Sequence, residues 1–315
     1  MTILIIALSL VAVLTVLSYI IASKFAQVVA LPHTSDYEKS RQDRIKRSGF
    51  DLYTVLEGRR IQEFTYKSEF DYDLYGRIIY ADGPDAKPRF KDGKQRVVIL
   101  SHGWTSNHIT MLAYGKIYLE MGFSLVAFDH RFHGKSDHNV NCTMGLYESK
   151  DLVGLGNYVR QFFPQDTIWG LQGESMGAAT VMQAAPDMPW LSFVVEDCGY
   201  SSVRGEMAAT LDAKKLPHFP ILNIGGAILK HRYGLDMAKV NAVSAVARTD
   251  VPMLFCHGDN DTFVPTKMVY DVYNAKKDKK QMQLFEGSTH AESVWDHPEQ
   301  YKQVLESFLK QYNII

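Results

Sequence analysis

Gly173-Glu174-Ser175-Met176-Gly177 reads G-x-S-x-G, set between the short apolar run 167–172 and the helix-forming run 178–185. Strand, sharp turn and helix in that order are what a nucleophile elbow needs. The turn lifts a serine hydroxyl clear of the sheet, and the flanking glycines allow strand and helix to approach where a Cβ would clash. Five residues with three fixed positions recur by chance, so the reading depends on what surrounds them.

Outward from the elbow, strand and helix alternate. Strands are expected at 96–100, 123–128, 167–172, 192–196, 252–256 and 281–285, and helices at 109–121, 147–163, 266–276 and 298–312. Short continuous apolar runs mark strands covered on both faces, hence a mostly parallel sheet between two helical layers. Before it, Ile61 to Tyr80 interleaves aromatic and β-branched residues with polar ones, as two antiparallel strands do. Turns are expected at Asp82-Gly83-Pro84-Asp85 and Lys91-Asp92-Gly93. About fifty residues, roughly 199–250, separate two strands, too many for a simple crossover. They hold amphipathic pieces with Pro217, Pro220 and Gly225-Gly226, and read as a helical lid over the strand ends.

The N-terminus is different. Ile3 to Ala22 is apolar and uncharged, about the length needed to span a bilayer. No Lys or Arg precedes it, and Ala22-Ser23-Lys24-Phe25-Ala26 is a poor cleavage site, so an uncleaved single-pass membrane anchor is expected over 1–23. Basic residues follow the span (Lys24, Lys39, Arg41, Arg44, Lys46, Arg47), which by the positive-inside bias places the following domain in the cytoplasm, although folded domains also cross largely regardless of charge. Residues 24–58 are polar and mixed in charge, a linker whose helices either pack on the domain or form a stalk; the domain itself occupies 59–315. The chain has 315 residues, 46% hydrophobic, with net charge −1, which gives no electrostatic reason to expect a nucleic-acid partner. Cys142, Cys198 and Cys256 show neither metal spacing nor a disulfide framework.

A serine nucleophile needs a base to take its proton and an acid to hold that base in the right tautomer. Two post-strand loops supply candidates. Cys256-His257-Gly258-Asp259-Asn260-Asp261-Thr262 offers Asp259 or Asp261, and Gly287-Ser288-Thr289-His290 offers His290. Asp259 fits a turn or cap equally well; Asp261 is taken as the acid partly on the resemblance given below. The order Ser175, Asp261, His290 distinguishes this arrangement from the chymotrypsin and subtilisin orders. An oxyanion hole would come from the backbone N–H of Met176 and, from Ser101-His102-Gly103-Trp104, that of Trp104; the Trp104 side chain reads as a pocket wall or as plain packing.

With His102-Gly103-Trp104, Asp129-His130-Arg131-Phe132-His133-Gly134-Lys135-Ser136, Gly173 to Gly177, Asp261-Thr262-Phe263-Val264-Pro265 and His290 in hand, the chain resembles the α/β-hydrolases, in particular the serine aminopeptidase-like or Bem46-like branch. The resemblance covers roughly residues 60–312. It implies Ser175 as nucleophile, Asp261 as acid and His290 as base. Phe132 and His133 depart from the family loop, where relatives often carry glycine and a variable residue. No cofactor and no metal are expected, because a serine apparatus needs neither. A zinc site from Asp129, His130, His133, Asp137 and His138 is the rival, but these residues lack H-E-x-x-H or one-face helical spacing. The expectation is a serine hydrolase of esters, thioesters or amides, acting on small-molecule, acyl or peptidyl substrates. An acyltransferase or aminopeptidase on the same residues, and a non-catalytic membrane-tethered binding protein, are the alternatives.

Overall fold

The computed structural model describes residues 1–81 and 90–315, so the expected turn at 82–85 lies outside the described residues. Its strands are β1 (Ile61–Lys67), β2 (Asp73–Ile79), β3 (Arg96–Ser101), β4 (Ser124–Phe128), β5 (Ile168–Glu174), β6 (Leu191–Asp197), β7 (Met253–Gly258) and β8 (Lys280–Phe285). Its helices are α1 (Thr2–Ala30), α2 (Tyr37–Ser48), α3 (Leu112–Glu120), α4 (Leu146–Val159), α5 (Met176–Ala184), α6 (Val203–Ala213), α7 (Ile221–Tyr233), α8 (Ala242–Val246), α9 (Lys267–Ala275), α10 (Ser293–Asp296) and α11 (Pro298–Gln311).

The strands form one sheet in the order β1-β2-β4-β3-β5-β6-β7-β8, antiparallel from β1 to β4 and parallel from there on. Every residue of β3, β4 and β7 is buried, which is why these strands read as unbroken apolar runs. β1, at the edge, alternates outward and inward residues instead. One apolar layer joins the sheet to α4, α5, α8 and α9 through residues such as Leu152, Val181, Val246 and Val269. The other joins it to α3 and α11 through Tyr114, Tyr118, Leu305 and Phe308.

A third apolar cluster lies over the C-terminal strand ends, and here the interval 199–250 resolves into two kinds of structure. α6 and α7 form the lid; α8 returns to the sheet layer against α5 and α9. Leu211, Ile221, Leu222 and Leu229 are buried in this cluster, whereas Phe219 is exposed.

α1 continues as one helix past residue 23, and its character changes at Ala22. Upstream its apolar side chains face outward. From Ala22 on, Ala22, Ala26, Val29 and Ala30 are buried at helical spacing. This stripe packs on α7, where the Cβ-less Gly225 comes close to Ala22 and Phe25. The backbone carbonyls are used as well: Trp104 Nε1 donates to Val29 O at 3.3 Å, and the Cys142 N–H donates to Ala30 O at 2.9 Å. Residues 24–58 therefore lie on the domain. α2 starts at Asp36, whose carboxylate caps the Lys39 N–H at 2.7 Å, and ends at Gly49 in the left-handed region (φ 70).

Candidate active site

β5 runs into α5 through Ser175, a non-glycine residue at φ 55, ψ −115. L-residues rarely occupy that region, and such strain is maintained only where the surroundings fix it. The fixing contacts are visible. The Ser175 N–H donates to Asp197 O at 2.9 Å, and Ser175 O accepts from the Ala179 N–H at 3.0 Å. A Cβ on Gly173 would stand 2.3 Å from Gly177 O, and one on Gly177 would stand 1.9 Å from Ser101 O. Strand, helix and the end of β3 meet there with no room for a methyl group.

The loops after β7 and β8 bring the other two residues to the serine. His290 Nε2 lies 2.9 Å from Ser175 Oγ, and His290 Nδ1 lies 2.7 Å from Asp261 Oδ2. Asp261 Oδ1 accepts from the Phe263 and Val264 N–H groups at 2.9 and 3.0 Å, which orients the carboxylate. Burial opposes the charge on Asp261, but hydrogen bonds and charge from His257 and His290 outweigh it and hold the carboxyl at about 2. An ionised carboxylate only accepts, so His290 Nδ1 carries the proton and Nε2 presents a lone pair to the serine hydroxyl. Asp259 goes elsewhere: its Oδ1 accepts from the Gly287 N–H at 2.7 Å, a loop-bracing role.

The turn after β3 approaches the same point, and a Cβ built on Gly103 would be 3.4 Å from Ser175 Cβ. Among the described residues, no hydrogen bond takes the backbone N–H of Trp104 or of Met176. His102 braces this turn. Its Nδ1 donates to Gly103 O at 2.8 Å, and its Nε2 accepts from the His130 N–H at 2.9 Å. Burial lowers the His102 imidazole to about 3, so it stays neutral and serves as a two-ended strut.

Most polar groups of the histidine-rich loop after β4 are taken by its own hydrogen bonds, while His130 Nδ1, His133 Nε2 and, beside the loop, His108 Nε2 are buried without a partner among the described residues. Asp129 accepts from the His108 N–H and Nδ1 at 2.9 Å each, from the Lys135 N–H at 2.9 Å and from Tyr37 OH. His133 Nδ1 donates to Arg131 O and His138 Nε2 to Gly134 O. Phe132 stands at φ 66, in the left-handed region that favours glycine. Among the described residues, the His/Cys/carboxylate group compact enough for a cation is Cys198, Asp261 and His290. Two of its members already bond each other.

Features without a local signal complete the site. Behind the elbow, Tyr114 OH donates to Glu174 at 3.2 Å and lies 3.0 Å from Asp197. Burial raises both carboxyls, Glu174 to about 7 and Asp197 to about 6. The His290 loop is clamped from outside by α2. Arg44 and Arg47 reach Glu292 at 3.1 and 2.7 Å, with the Arg44 guanidinium 3.9 Å from the Trp295 ring centre. In front of Ser175 lies an apolar cavity of about 210 Å³. Trp104, Met176, Tyr200 and Met207 wall it on the domain and lid side, and Phe25, Val28 and Val29 of α1 wall it on the other. The Trp104 side chain thus lines the cavity and packs at once.

Among known proteins, the family described as alpha/beta hydrolase fold matches residues 96–189. The chain is 28% identical over 282 residues to the uncharacterized Bacillus subtilis protein YqkD, covering 88% of this chain and 89% of that one. Pyrococcus furiosus esterase Pf2001 superposes with a TM-score of 0.64 at 21% identity, over 83% of this chain and 96% of the esterase. An acylaminoacyl peptidase from Pyrococcus horikoshii superposes with a TM-score of 0.59 at 17% identity, over 83% of this chain and 42% of the peptidase. The sheet order, the parallel strands and these likenesses establish the α/β-hydrolase fold. Esterases and a peptidase share the fold, so the fold alone names no substrate.

Proposed function

We propose that this α/β-hydrolase is a serine hydrolase, anchored to a membrane by α1, that cleaves carboxylic esters through an acyl-enzyme. The observation that carries the proposal is the chain of contacts from Ser175 Oγ through His290 to Asp261, at 2.9 and 2.7 Å, opening onto an apolar cavity. Ser175 Oγ attacks the acyl carbonyl carbon while its proton passes to His290 Nε2. His290 returns that proton to the leaving alcohol as the C–O bond breaks. Water then attacks the acyl-Ser175 ester, giving a proton to His290, and Ser175 leaves reprotonated with release of the carboxylic acid. Asp261 stays ionised throughout and stabilises the imidazolium. The free N–H groups of Trp104 and Met176 receive the oxyanion, each worth about 2.7–4 kcal/mol in the transition state.

The anchor rests on two features. Ile3–Ile21 is apolar and turned outward, and the helix is long enough to cross a bilayer. Residues 22–30 are built into the lid and the cavity wall, so cleavage near Ala26 would remove part of the site. The test is labelling of the full-length protein in membranes with a fluorophosphonate probe. Wild type labels, Ser175→Ala does not, and p-nitrophenyl esters turn over in preference to aminoacyl amides. A folded wild type that resists the probe, or a Ser175→Ala that still takes it, refutes the assignment.

A further inference from the structure

α1 belongs at the same time to the bilayer-facing surface and to the cavity in front of Ser175, and the distances between those two roles are short. Ile3–Ile21 rises roughly 28 Å at 1.5 Å per residue, which matches a hydrocarbon core of about 30 Å. The first buried residue is Ala22. Phe25 lies about 6 Å beyond Ile21 along the axis and Val28 about 10 Å beyond it. The headgroup layer on each side of a bilayer is about 5–8 Å deep. Of the three α1 residues lining the cavity, Phe25 therefore sits within that layer and Val28 just outside it, and Val28 is 55% exposed at the cavity mouth.

The lid helix supports the same placement. α7 runs antiparallel to the end of α1, with Gly225 beside Ala22 and Phe25, and with Ile228, His231 and Arg232 sharing a groove with Tyr19 and Ser23. The last turn of α7 thus lies toward the membrane, with Lys230 paired to Asp236 at 2.9 Å and the Arg232 guanidinium left beside Tyr19 and Ser23, where a cation meets anionic headgroups. Along α1 the basic turn therefore lies nearer the bilayer than the apolar wall formed by Phe25, Val28 and Val29.

We propose that the cavity receives the acyl chain of a bilayer-resident amphiphile, drawn sideways along α1 past Val28, so that the anchor helix is itself part of the substrate site. This rests on the serine-hydrolase reading and adds a substrate class to it: long-chain acyl esters held in the same membrane as the enzyme. Short water-soluble esters reach Ser175 from solvent and gain nothing from the membrane.

The experiment uses the full-length protein reconstituted in phosphatidylcholine vesicles containing phosphatidylglycerol. 4-Methylumbelliferyl palmitate is placed either in the enzyme's own vesicles or in separate, enzyme-free vesicles, and the acetate ester is supplied in solution. Palmitate in the enzyme's vesicles is expected to turn over at least tenfold faster than palmitate in separate ones. Val28→Trp, which fills the mouth, is expected to lower the palmitate-to-acetate rate ratio by tenfold or more, because each methylene denied burial costs about fourfold. Equal rates from the two vesicle arrangements, or an unchanged ratio in Val28→Trp, overturns the proposal. Fluorophosphonate labelling of the same preparations separates the two levels. Labelled enzyme that cleaves acetate without preference for its own membrane refutes only the lateral route. Enzyme that neither labels nor cleaves either ester refutes the hydrolase reading and this inference with it.

Discussion

Replacing Gly177 by alanine adds one methyl group at the most crowded point of the elbow. That Cβ would stand 1.9 Å from Ser101 O, 2.5 Å from Ser101 C and 2.7 Å from His102 O. All three are backbone atoms, so no side chain can swing aside. Restoring even 3.0 Å to the nearest requires the start of α5 to move about 1.1 Å away from β3. Ser175 and the Met176 N–H sit on that helix start, and Ser175 Oγ is 2.9 Å from His290 Nε2, so the shift breaks that contact. Two effects are expected: a loss of about 1–3 kcal/mol of stability from overpacking, and a fall of roughly 100-fold in the fluorophosphonate labelling rate, the cost typical of a 1 Å misplacement. The rate is measured on protein shown to be folded by its thermal transition. Gly225→Ala is the control, because its Cβ would meet Ala22 O at an ordinary 3.6 Å. A Gly177→Ala variant that labels at the wild-type rate refutes the argument that close packing at this glycine sets the serine in place.

Two further predictions concern groups around the site. Glu292→Ala releases the loop carrying His290 from Arg44 and Arg47; stability should fall by roughly 1–3 kcal/mol, and kcat for a short ester should fall more than KM changes. A Tm drop with unaltered kcat would mean that the clamp holds the fold but not the histidine. Glu196 is buried and accepts from the Gly199 N–H at 3.0 Å, and burial raises its carboxyl to about 8, above the ordinary 4.5. Its contribution is therefore fully present below about pH 4.5 and is lost as pH rises through about 8, with a limiting slope of about 1.4 kcal/mol per pH unit between them. Glu196→Gln keeps the acceptor and removes the ionisation, so Tm measured from pH 5 to 8 should decline less steeply in the variant. Parallel Tm–pH curves would assign the dependence to other carboxyls.

Much of this architecture is legible in the chain because its signals are local. β3, β4 and β7 are covered on both faces, so each leaves a short apolar run in the sequence. The elbow also declares itself, since Gly173 and Gly177 are required by atoms within a few residues or on the adjoining strand end. Helix limits were less legible: the helix expected from 109 begins at Leu112, and that expected to reach 163 gives way to a 3-10 turn at Arg160. End turns are held by few hydrogen bonds, so sequence constrains them weakly.

The sequence by itself determined the class of fold, the elbow, and a Ser, Asp, His order on three strand-exit loops. It narrowed the acid to two neighbouring aspartates without a local reason to separate them. The tertiary structure separated them by distance, placing Asp261 against His290 and Asp259 against Gly287. It also decided what faces the serine. Phe25 and Val28 are far from Ser175 in the chain, and their apolar character is equally suited to lipid. Only the packing of Ala22 and Ala26 on the lid helix turns them toward the cavity. Periodicity records which side of an element is apolar; what that side meets is set by the closure of long loops around the whole core, which no short stretch of sequence encodes.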